Sequence, residues 1–265
     1  MSALSHAPAR IAYEVRGYVR QGDTMLFTFL FPVIFLVLFS SIFAGEADAG
    51  GTSIPMATYF LPGLVAAGVL LSGVQNLAIE IAMEKSDGRL KRLGGTPMSP
   101  VTYFLGKFGQ VLVTAVAQVT LLLLVATLVF GVELPTDPAR WLTFAWVFLL
   151  GLAACSLVGI ALSAVPRSGR SASAVVIPVV TVLQFISGVY VADFQLPDGV
   201  RTVGALFPLA WMARGMRSVF LPDSFHVLER GGTWGLGQVA LALVVWLVVG
   251  AVLSRLTFRW IRRDA

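Results

Sequence analysis

The sequence predicts an all-α membrane protein with six transmembrane helices, on the evidence of its composition, its apolar runs and its charge distribution. Its 265 residues are 57% hydrophobic and 12% charged, and the mean hydropathy is +0.85. A typical soluble domain is about one quarter charged, and a soluble chain of this composition would expose large apolar patches. These numbers exclude a soluble globule, a disordered chain and a basic nucleic-acid-binding domain. The expected surroundings are therefore a lipid bilayer, with no nucleic-acid partner.

Six apolar stretches are long enough to cross the hydrocarbon core, which requires about 20 helical residues. Runs of this length favour helices over barrel strands, because a helix satisfies all of its backbone hydrogen bonds within one segment. We therefore expect residues 1–265 to form one transmembrane domain. The predicted spans are 25–44, 57–79, 109–132, 141–164, 173–192 and 238–258.

The distribution of basic residues predicts that both termini face the cytoplasm. With that orientation, all but five of the 19 Lys and Arg residues fall on the cytoplasmic side. Loops rich in Lys and Arg stay in the cytoplasm during membrane insertion. This asymmetry also explains the pI of about 9.8 without a nucleic-acid ligand. The five residues predicted to lie outside are Arg140, Arg201, Arg214, Arg217 and Arg230.

The N-terminal segment 9–21 has the pattern of a helix that lies in the membrane interface. Ile11, Val15, Tyr18 and Val19 recur on one helical face, and arginines occupy the opposite face. Such a helix buries its apolar face among the lipids and keeps its basic face in water. The alternative is a solvated basic leader.

The last outer connection, 193–237, is predicted to form a re-entrant hairpin of two short helices that start near Asp198 and Pro208. It is too apolar for a free loop, and a seventh span would bury arginines at high cost. Those arginines are Arg201, Arg214 and Arg217.

The cytoplasmic connection 80–107 contains a candidate docking element. Residues 88–93 have the composition of a short helix with Leu90 and Leu93 on one face, and Gly94, Gly95 and Pro97 follow it. A short amphipathic helix that projects from a membrane is suited to binding a soluble partner. The alternative is an ordinary charged loop that obeys the orientation rule.

The chemistry of an enzyme or an ion-driven carrier is absent from the predicted spans. No Asp, Glu, Lys, Arg or His lies in the middle of any of them, whereas proton-coupled carriers bury such groups there. The sequence has no Walker loop, no metal-ligand spacing and no nucleophile motif, and Cys155 is expected to be a packing residue. Four polar residues within the spans are expected to form hydrogen bonds between helices. They are Gln75, Asn76, Gln118 and Gln184.

At three places the chain resembles the ABC-2-type permeases, the membrane subunits of bacterial ABC exporters, and drug-resistance members most closely. The second-to-third connection carries the first motif, the end of the fifth span carries Ser187-Gly188-Val189-Tyr190, and the outer hairpin carries Phe207-Pro208-Leu209. Arg89 replaces the usual threonine after Gly88. The first motif reads Glu84-Lys85, Gly88, Leu90, Arg92-Leu93, Thr96-Pro97 and Gly106-Lys107.

The resemblance implies a bacterial plasma-membrane permease for drugs or antibiotics, without its own ATPase motif. It implies two copies of a cytoplasmic ABC ATPase that bind ATP and Mg²⁺, and no cofactor or metal on this chain. A second permease copy, identical or related, would face this one through the first, second and fifth spans. The ATPase-coupling residues would be Glu84, Lys85, Gly88, Arg89, Leu90, Arg92, Leu93, Thr96 and Pro97.

Candidate residues of the translocation pathway lie on the first, second and fifth spans and at the end of the fifth. They are Phe35, Gln75, Gln184, Phe185 and Tyr190. Apolar walls suit a lipophilic drug, while the aromatic residues also suit a lipid-linked polysaccharide or glycolipid. Two further alternatives are a carrier driven by an ion gradient and a membrane enzyme that acts on lipid.

Overall fold

The computed structural model describes residues 7–43, 45–96 and 98–258, and it is 78% helical. Within these residues, six helices are long and apolar enough to cross a membrane. The prediction of an all-α membrane protein is therefore confirmed. We call the end of the bundle next to the N-terminal helix the inner end, following the predicted orientation, and the opposite end the outer end.

The first half of the chain consists of an N-terminal helix, two spans and a short hairpin between them. Its elements are α1 (Ala7–Val19), α2 (Gly22–Ile42), β1 (Glu46–Ala49), β2 (Thr52–Pro55), α3 (Met56–Leu70), a π-helical segment (Leu71–Asn76), α4 (Leu77–Ser86) and α5 (Arg89–Gly94). Together α3, the π-helical segment and α4 form the second span, Met56–Ser86.

The second half contains four spans and two short helices at the outer end. Its elements are α6 (Pro100–Phe130), α7 (Pro138–Leu162), α8 (Gly169–Ile186), α9 (Asp198–Gly204), α10 (Pro208–Phe220) and α11 (Leu236–Thr257). Short 3₁₀ turns precede α9 and follow α10.

Three span boundaries differ from the sequence prediction by six residues or more. The second span continues to Ser86 rather than ending at residue 79. Helix α6 begins at Pro100 rather than at residue 109, because the Ser99 hydroxyl caps it by accepting from the Thr102 amide and proline is favoured in the first turn. Helix α8 ends at Ile186 rather than at residue 192, and the chain turns at Gly188 with φ of +72°. That left-handed conformation is readily available only to glycine. The earlier start of α6 places Lys107 inside a helix.

The β-hairpin at the outer end is absent from the sequence prediction, which treats this segment as a loop. Glu46 pairs with Pro55, and Ala49 pairs with Thr52. The turn residues Gly50 and Gly51 have φ of +57° and +78°. A two-residue turn of this kind matches the twist of antiparallel strands and requires positive φ at both positions. The Gly-Gly pair was the available sequence signal.

The second span lies at the centre of the bundle, where the other helices enclose it. Of its most apolar window 94% is buried, compared with 17% for α2 and 22% for α8. The expectation that the second span faces a second permease copy is therefore wrong for most of its length. Its small residues instead permit close packing within this chain.

Helix α7 packs tightly against the π-helical segment. A Cβ atom added to Gly159 would lie 2.3 Å from the Gly73 carbonyl oxygen, and one added to Gly73 would lie 2.9 Å from the Cys155 Cβ. Cys155 is completely buried. Its predicted role as a packing residue is confirmed, because it fills the space that Gly73 leaves open.

The outer segment forms the two short helices that the sequence predicts. Pro208 lies in the first turn of α10 as expected, whereas the Asp198 side chain makes no capping hydrogen bond. Helix α10 packs against α3, α7 and α11. It buries Arg214 and Arg217, which the sequence analysis assigns to the outer side of the membrane. Burial is tolerated because Glu229 returns from the following turn to pair with both.

Candidate translocation cavity and coupling segment

A cavity of about 420 Å³ opens between α2, the second span and α8, in the inner half of the bundle. Its walls combine apolar side chains with uncharged polar ones, and Glu80 is the charged residue among those that line it. Cavities that bind small molecules are mostly apolar with a few placed polar groups. The lining residues are Tyr18, Gln21, Thr24, Phe27, Thr28, Phe31, Leu71, Gln75, Asn76, Ile79, Glu80, Met83, Ser173, Ile177, Thr181 and Gln184.

The π-helical segment forms one wall of this cavity. Leu71, Gln75 and Asn76 face the cavity, while Gly73 faces α7. A π-helical turn inserts an extra residue into an α-helix and is frequently found at functional sites. Here the extra residue of the π-helical turn places Gln75 and Asn76 on the side of the cavity. The same turn places Gly73 on the side that packs against α7.

The polar residues of the spans join helices, as the sequence predicts for Gln118 and Asn76. The Gln118 amide donates to the Thr28 carbonyl at 2.8 Å and accepts from the Ser72 hydroxyl at 3.0 Å. Asn76 donates to the Thr28 hydroxyl at 2.9 Å. These bonds connect α2, the second span and α6 at the wall of the cavity.

Four of the five predicted pathway residues meet at the outer side of the cavity. The Phe35 ring stacks on Tyr190 with centroids 4.6 Å apart, and Phe185 meets the Tyr190 ring edge to face at 5.2 Å. The Tyr190 hydroxyl donates to the Gln184 side chain. Gln75, the fifth residue, lines the cavity together with Gln184. The five therefore lie along one side of the bundle, and their contact with cargo stays a prediction.

A buried ionic cluster lies at the inner end, next to the cavity. The Lys107 ammonium donates to Glu14 at 2.9 Å, to Glu80 at 2.8 Å and to Glu84 at 2.8 Å. The Tyr103 hydroxyl donates to Glu84 at 2.7 Å. The carboxylates lie within 4.8 Å of one another, and the Lys107 ammonium supplies the positive charge between them. Because these groups come from α1, α4 and α6, the cluster fastens three helices together.

This cluster is absent from the sequence prediction. Lys107 appeared in the cytoplasmic connection and in a family motif, and Glu14 had no assigned role. The Ser99-Pro100 pair was the signal that could have found it, because it marks a helix start that carries Lys107 two turns into α6. The meeting of Lys107 with Glu14 is a long-range contact that local pattern does not specify.

The predicted coupling segment folds into a turn followed by α5. Gly88 has φ of +69° directly before the helix, and Thr96 donates to the Leu93 carbonyl at 2.7 Å beyond it. Such a φ explains why the motif requires glycine at this position. Pro97 lies outside the described residues.

The coupling segment differs from the prediction in which side chains it offers to a partner. Leu90 is 2% exposed and packs inside this chain, and the Glu84 carboxylate is engaged by Lys107 and Tyr103. Arg89 and Arg92 are exposed, while Leu93 and Lys85 are partly buried. The leucine face of α5 turns toward the bundle because burying Leu90 removes apolar surface from water.

Comparison with known proteins supports the resemblance. The model of the family described as ABC-2 family transporter protein matches residues 53–256. A search of curated proteins found no match. The matched region begins in the outer hairpin and extends through α11 almost to its end, so it covers five of the six candidate spans. ABC-2 permeases are membrane transport components that are not themselves catalytic. Because the family model matches most of its length, this multi-pass membrane chain belongs to the ABC-2 transporter family.

Proposed function

We propose that the chain is the permease subunit of an ATP-binding-cassette exporter that moves a hydrophobic or amphiphilic cargo, such as a drug or antibiotic, out of a bacterial cell. Membership of the ABC-2 family implies a partnering ABC ATPase. Two copies of that ATPase would bind ATP and Mg²⁺, and this chain would bind neither. The observation that carries the cargo assignment is the cavity of about 420 Å³ between α2, the second span and α8.

The chemistry of the cavity favours amphiphilic cargo. Phe27, Phe31 and Leu71 offer apolar contact, while Gln75 and Gln184 offer uncharged hydrogen-bonding groups. Glu80, the charged lining residue, is held by Lys107 at 2.8 Å, so most of the affinity for cargo would come from apolar contact and not from this carboxylate. A wall of this kind binds molecules mainly by burying their apolar surface.

A second permease copy would lie against the open faces of α2 and α8. Both helices expose large apolar side chains that this chain does not cover, including Phe27, Ile34, Val182 and Phe185. Since the cavity lies between the same two helices, a partner copy on this side would close it from the lipid. The second span would then line the pathway from within its own subunit.

The coupling segment would transmit the motion of the ATPase. We assign the contact to the exposed arginines Arg89 and Arg92 on α5, with Leu90 fastening α5 to its own bundle. The Lys107 cluster links α4, which leads into α5, to α1 and α6. A push on α5 would therefore move three helices as a unit beside the cavity.

The cargo assignment is tested by transport into inside-out vesicles. The chain is co-produced with the ATPase that purifies with it, and ATP-driven uptake of daunorubicin is measured. Gln75→Trp fills part of the cavity and is expected to reduce uptake at least fivefold. Thr120→Trp, at an exposed position on α6, introduces the same side chain away from the cavity and is the matched control.

Two results would contradict the proposal. Equal uptake by the Gln75→Trp and Thr120→Trp variants would show that the cavity is not the route. Uptake by the purified chain alone, driven by an ion gradient without ATP, would favour the secondary-carrier alternative.

A second candidate cargo is a lipid-linked polysaccharide or glycolipid. The observation that favours it is the aromatic group at the outer side of the cavity, formed by Phe35, Phe39, Phe185 and Tyr190. Sugar rings stack their apolar faces on aromatic side chains. Under this alternative, daunorubicin uptake is absent, and export of a lipid-linked glycan falls when Tyr190 is replaced by leucine.

A further inference from the structure

A second cavity, of about 340 Å³, lies at the outer end between the end of α8, α9, α10 and the start of α11. Two lining residues locate the cavity along the bundle axis. Ile186 is the last residue of α8, and Gln238 lies in the first turn of α11. Helix α8 has 18 residues and is therefore about 27 Å long, close to the thickness of the hydrocarbon core. A helix of this length that crosses the core would end where hydrocarbon gives way to lipid headgroups.

The side chains that line this cavity carry more positive than negative charges. Four arginines face two carboxylates, Asp193 and Glu229. Asp193 is taken by Arg201, whose Nε donates to it at 3.0 Å. Glu229 is taken by Arg217 through two nitrogen atoms. The two remaining arginines are Arg214, which shares Glu229 at 3.6 Å, and Arg230.

Arg214 is buried with part of its hydrogen-bonding capacity unused. It is 7% exposed, and its Nε makes no hydrogen bond, although the Glu229 carboxylate lies 3.6 Å away. Its Nη2 donates to the Arg230 and Thr233 carbonyls at 2.6 Å each. Burial lowers the pKa of the Arg214 guanidinium, against the opposing effect of Glu229. A buried guanidinium is costly unless it is matched by an acceptor.

Arg230 adds a second positive charge at the mouth of the cavity. Its side chain is exposed, and within the described residues it forms no ion pair. The bonds from Arg214 to the backbone at Arg230 and Thr233 hold the loop that carries it. These two hydrogen bonds therefore hold both guanidinium groups at the same cavity.

The surroundings of the cavity combine these charges with exposed apolar groups. Trp211 lines the cavity and donates to the Ala205 carbonyl at 2.8 Å. On the same segment, Val203 is 48% exposed and Leu206 is 65% exposed. Tryptophan is enriched at the membrane interface, where one side of the ring meets hydrocarbon and the other meets water.

We propose that this outer cavity binds a phosphate-class anion through Arg214 and Arg230, and that the anion is the headgroup phosphate of an anionic phospholipid. Arginine matches phosphate oxygens with paired, charge-assisted hydrogen bonds. The exposed Val203 and Leu206 supply a surface for the acyl chains of the same lipid. On the predicted orientation, the lipid belongs to the outer leaflet.

The test uses the full chain in detergent micelles and measures the rise of its melting temperature as ligand is added. The probes are dioctanoyl-phosphatidylglycerol, dioctanoylglycerol with the same chains and no phosphate, and inorganic phosphate at matched ionic strength. Phosphatidylglycerol is expected to stabilise the chain, and dioctanoylglycerol is not. Binding of inorganic phosphate as tight as that of the lipid would retain the anion site and assign it to free phosphate.

The variant that decides the test is Arg230→Gln, because the exposed side chain can be replaced without disturbing the buried framework. Loss of its charge-assisted hydrogen bond is expected to weaken phosphatidylglycerol binding roughly tenfold. Arg16→Gln, an exposed position on α1, makes the same change of charge and should leave binding unchanged. Equal stabilisation by dioctanoylglycerol, or unaltered lipid binding by Arg230→Gln, would overturn the proposal. Neither result depends on ATP or on the transported cargo.

Discussion

The ammonium of Lys107 on α6 lies 2.9 Å from the carboxylate of Glu14 on the N-terminal helix α1. Lys107 is completely buried, and Glu14 is almost so. This contact fastens a helix predicted to lie in the membrane interface to the inner end of the bundle. Because Glu80 and Glu84 bind the same ammonium, the second span is included in the junction.

Removing the Lys107 charge should be strongly destabilising. Lys107→Met leaves three carboxylates buried around an apolar side chain, and breaking a buried ion pair in this way costs about 3–5 kcal/mol. We expect a large fall in the melting temperature of the purified chain. Lys91→Met, at an exposed position on α5, is the matched control and should have little effect. Adding Glu84→Gln to Lys107→Met should restore part of the stability, and a Lys107→Met variant as stable as the control would refute the role of the cluster.

Close packing of α7 on the second span should make Gly159 intolerant of a methyl group. In Gly159→Ala the new Cβ would lie 2.3 Å from the Gly73 carbonyl oxygen, so one of the two helices must shift. Overpacking of this kind costs about 1–3 kcal/mol. Gly237→Ala is the control, because nothing lies within 4 Å of its added Cβ. Thermal unfolding of the two purified variants should separate them, and equal melting temperatures would contradict the packing.

The exposed arginines of α5 should matter for coupling and not for folding. Arg89→Glu with Arg92→Glu reverses two charges at the surface of the proposed ATPase contact, so cargo-stimulated ATP hydrolysis of the reconstituted complex is expected to fall at least tenfold. The melting temperature of the chain should change little, because substitutions at exposed positions usually alter the free energy of unfolding by no more than about 0.5 kcal/mol. Arg16→Glu with Arg20→Glu is the matched control, because Arg16 on α1 and Arg20 directly after it are both exposed. Normal stimulation in the Arg89 and Arg92 variant would place the contact elsewhere.

The predicted orientation can be tested with single cysteines in a Cys155→Ala background. Ser53→Cys in the β-hairpin should react with a membrane-impermeant maleimide added to intact cells, because Ser53 is exposed at the outer end. Lys91→Cys on α5 should react only after the membrane is permeabilised. The opposite labelling pattern would invert the orientation and remove α5 from the cytoplasm. Native Cys155 should stay unlabelled until the chain is denatured, because it is completely buried.

Much of the fold was determined by the sequence itself. A helix in lipid must satisfy its own backbone groups, so apolar runs of sufficient length predict the six spans with errors confined to their ends. The short helices α5, α9 and α10 were also predicted, because Gly88 and Pro208 mark local boundaries. These features depend on neighbouring residues along the chain, which is the range over which pattern and backbone preference act.

Only the tertiary structure decided how polar and small residues are used. Lys107 meets Glu14, and Arg217 meets Glu229, because folding brings together groups from separate elements and burial then requires each charge to find a partner. The same long-range packing encloses the second span, turns Leu90 inward and leaves Arg214 without a partner for its Nε. Hydropathy specifies that a helix enters the membrane, but not which of its faces meets lipid, protein or a cavity.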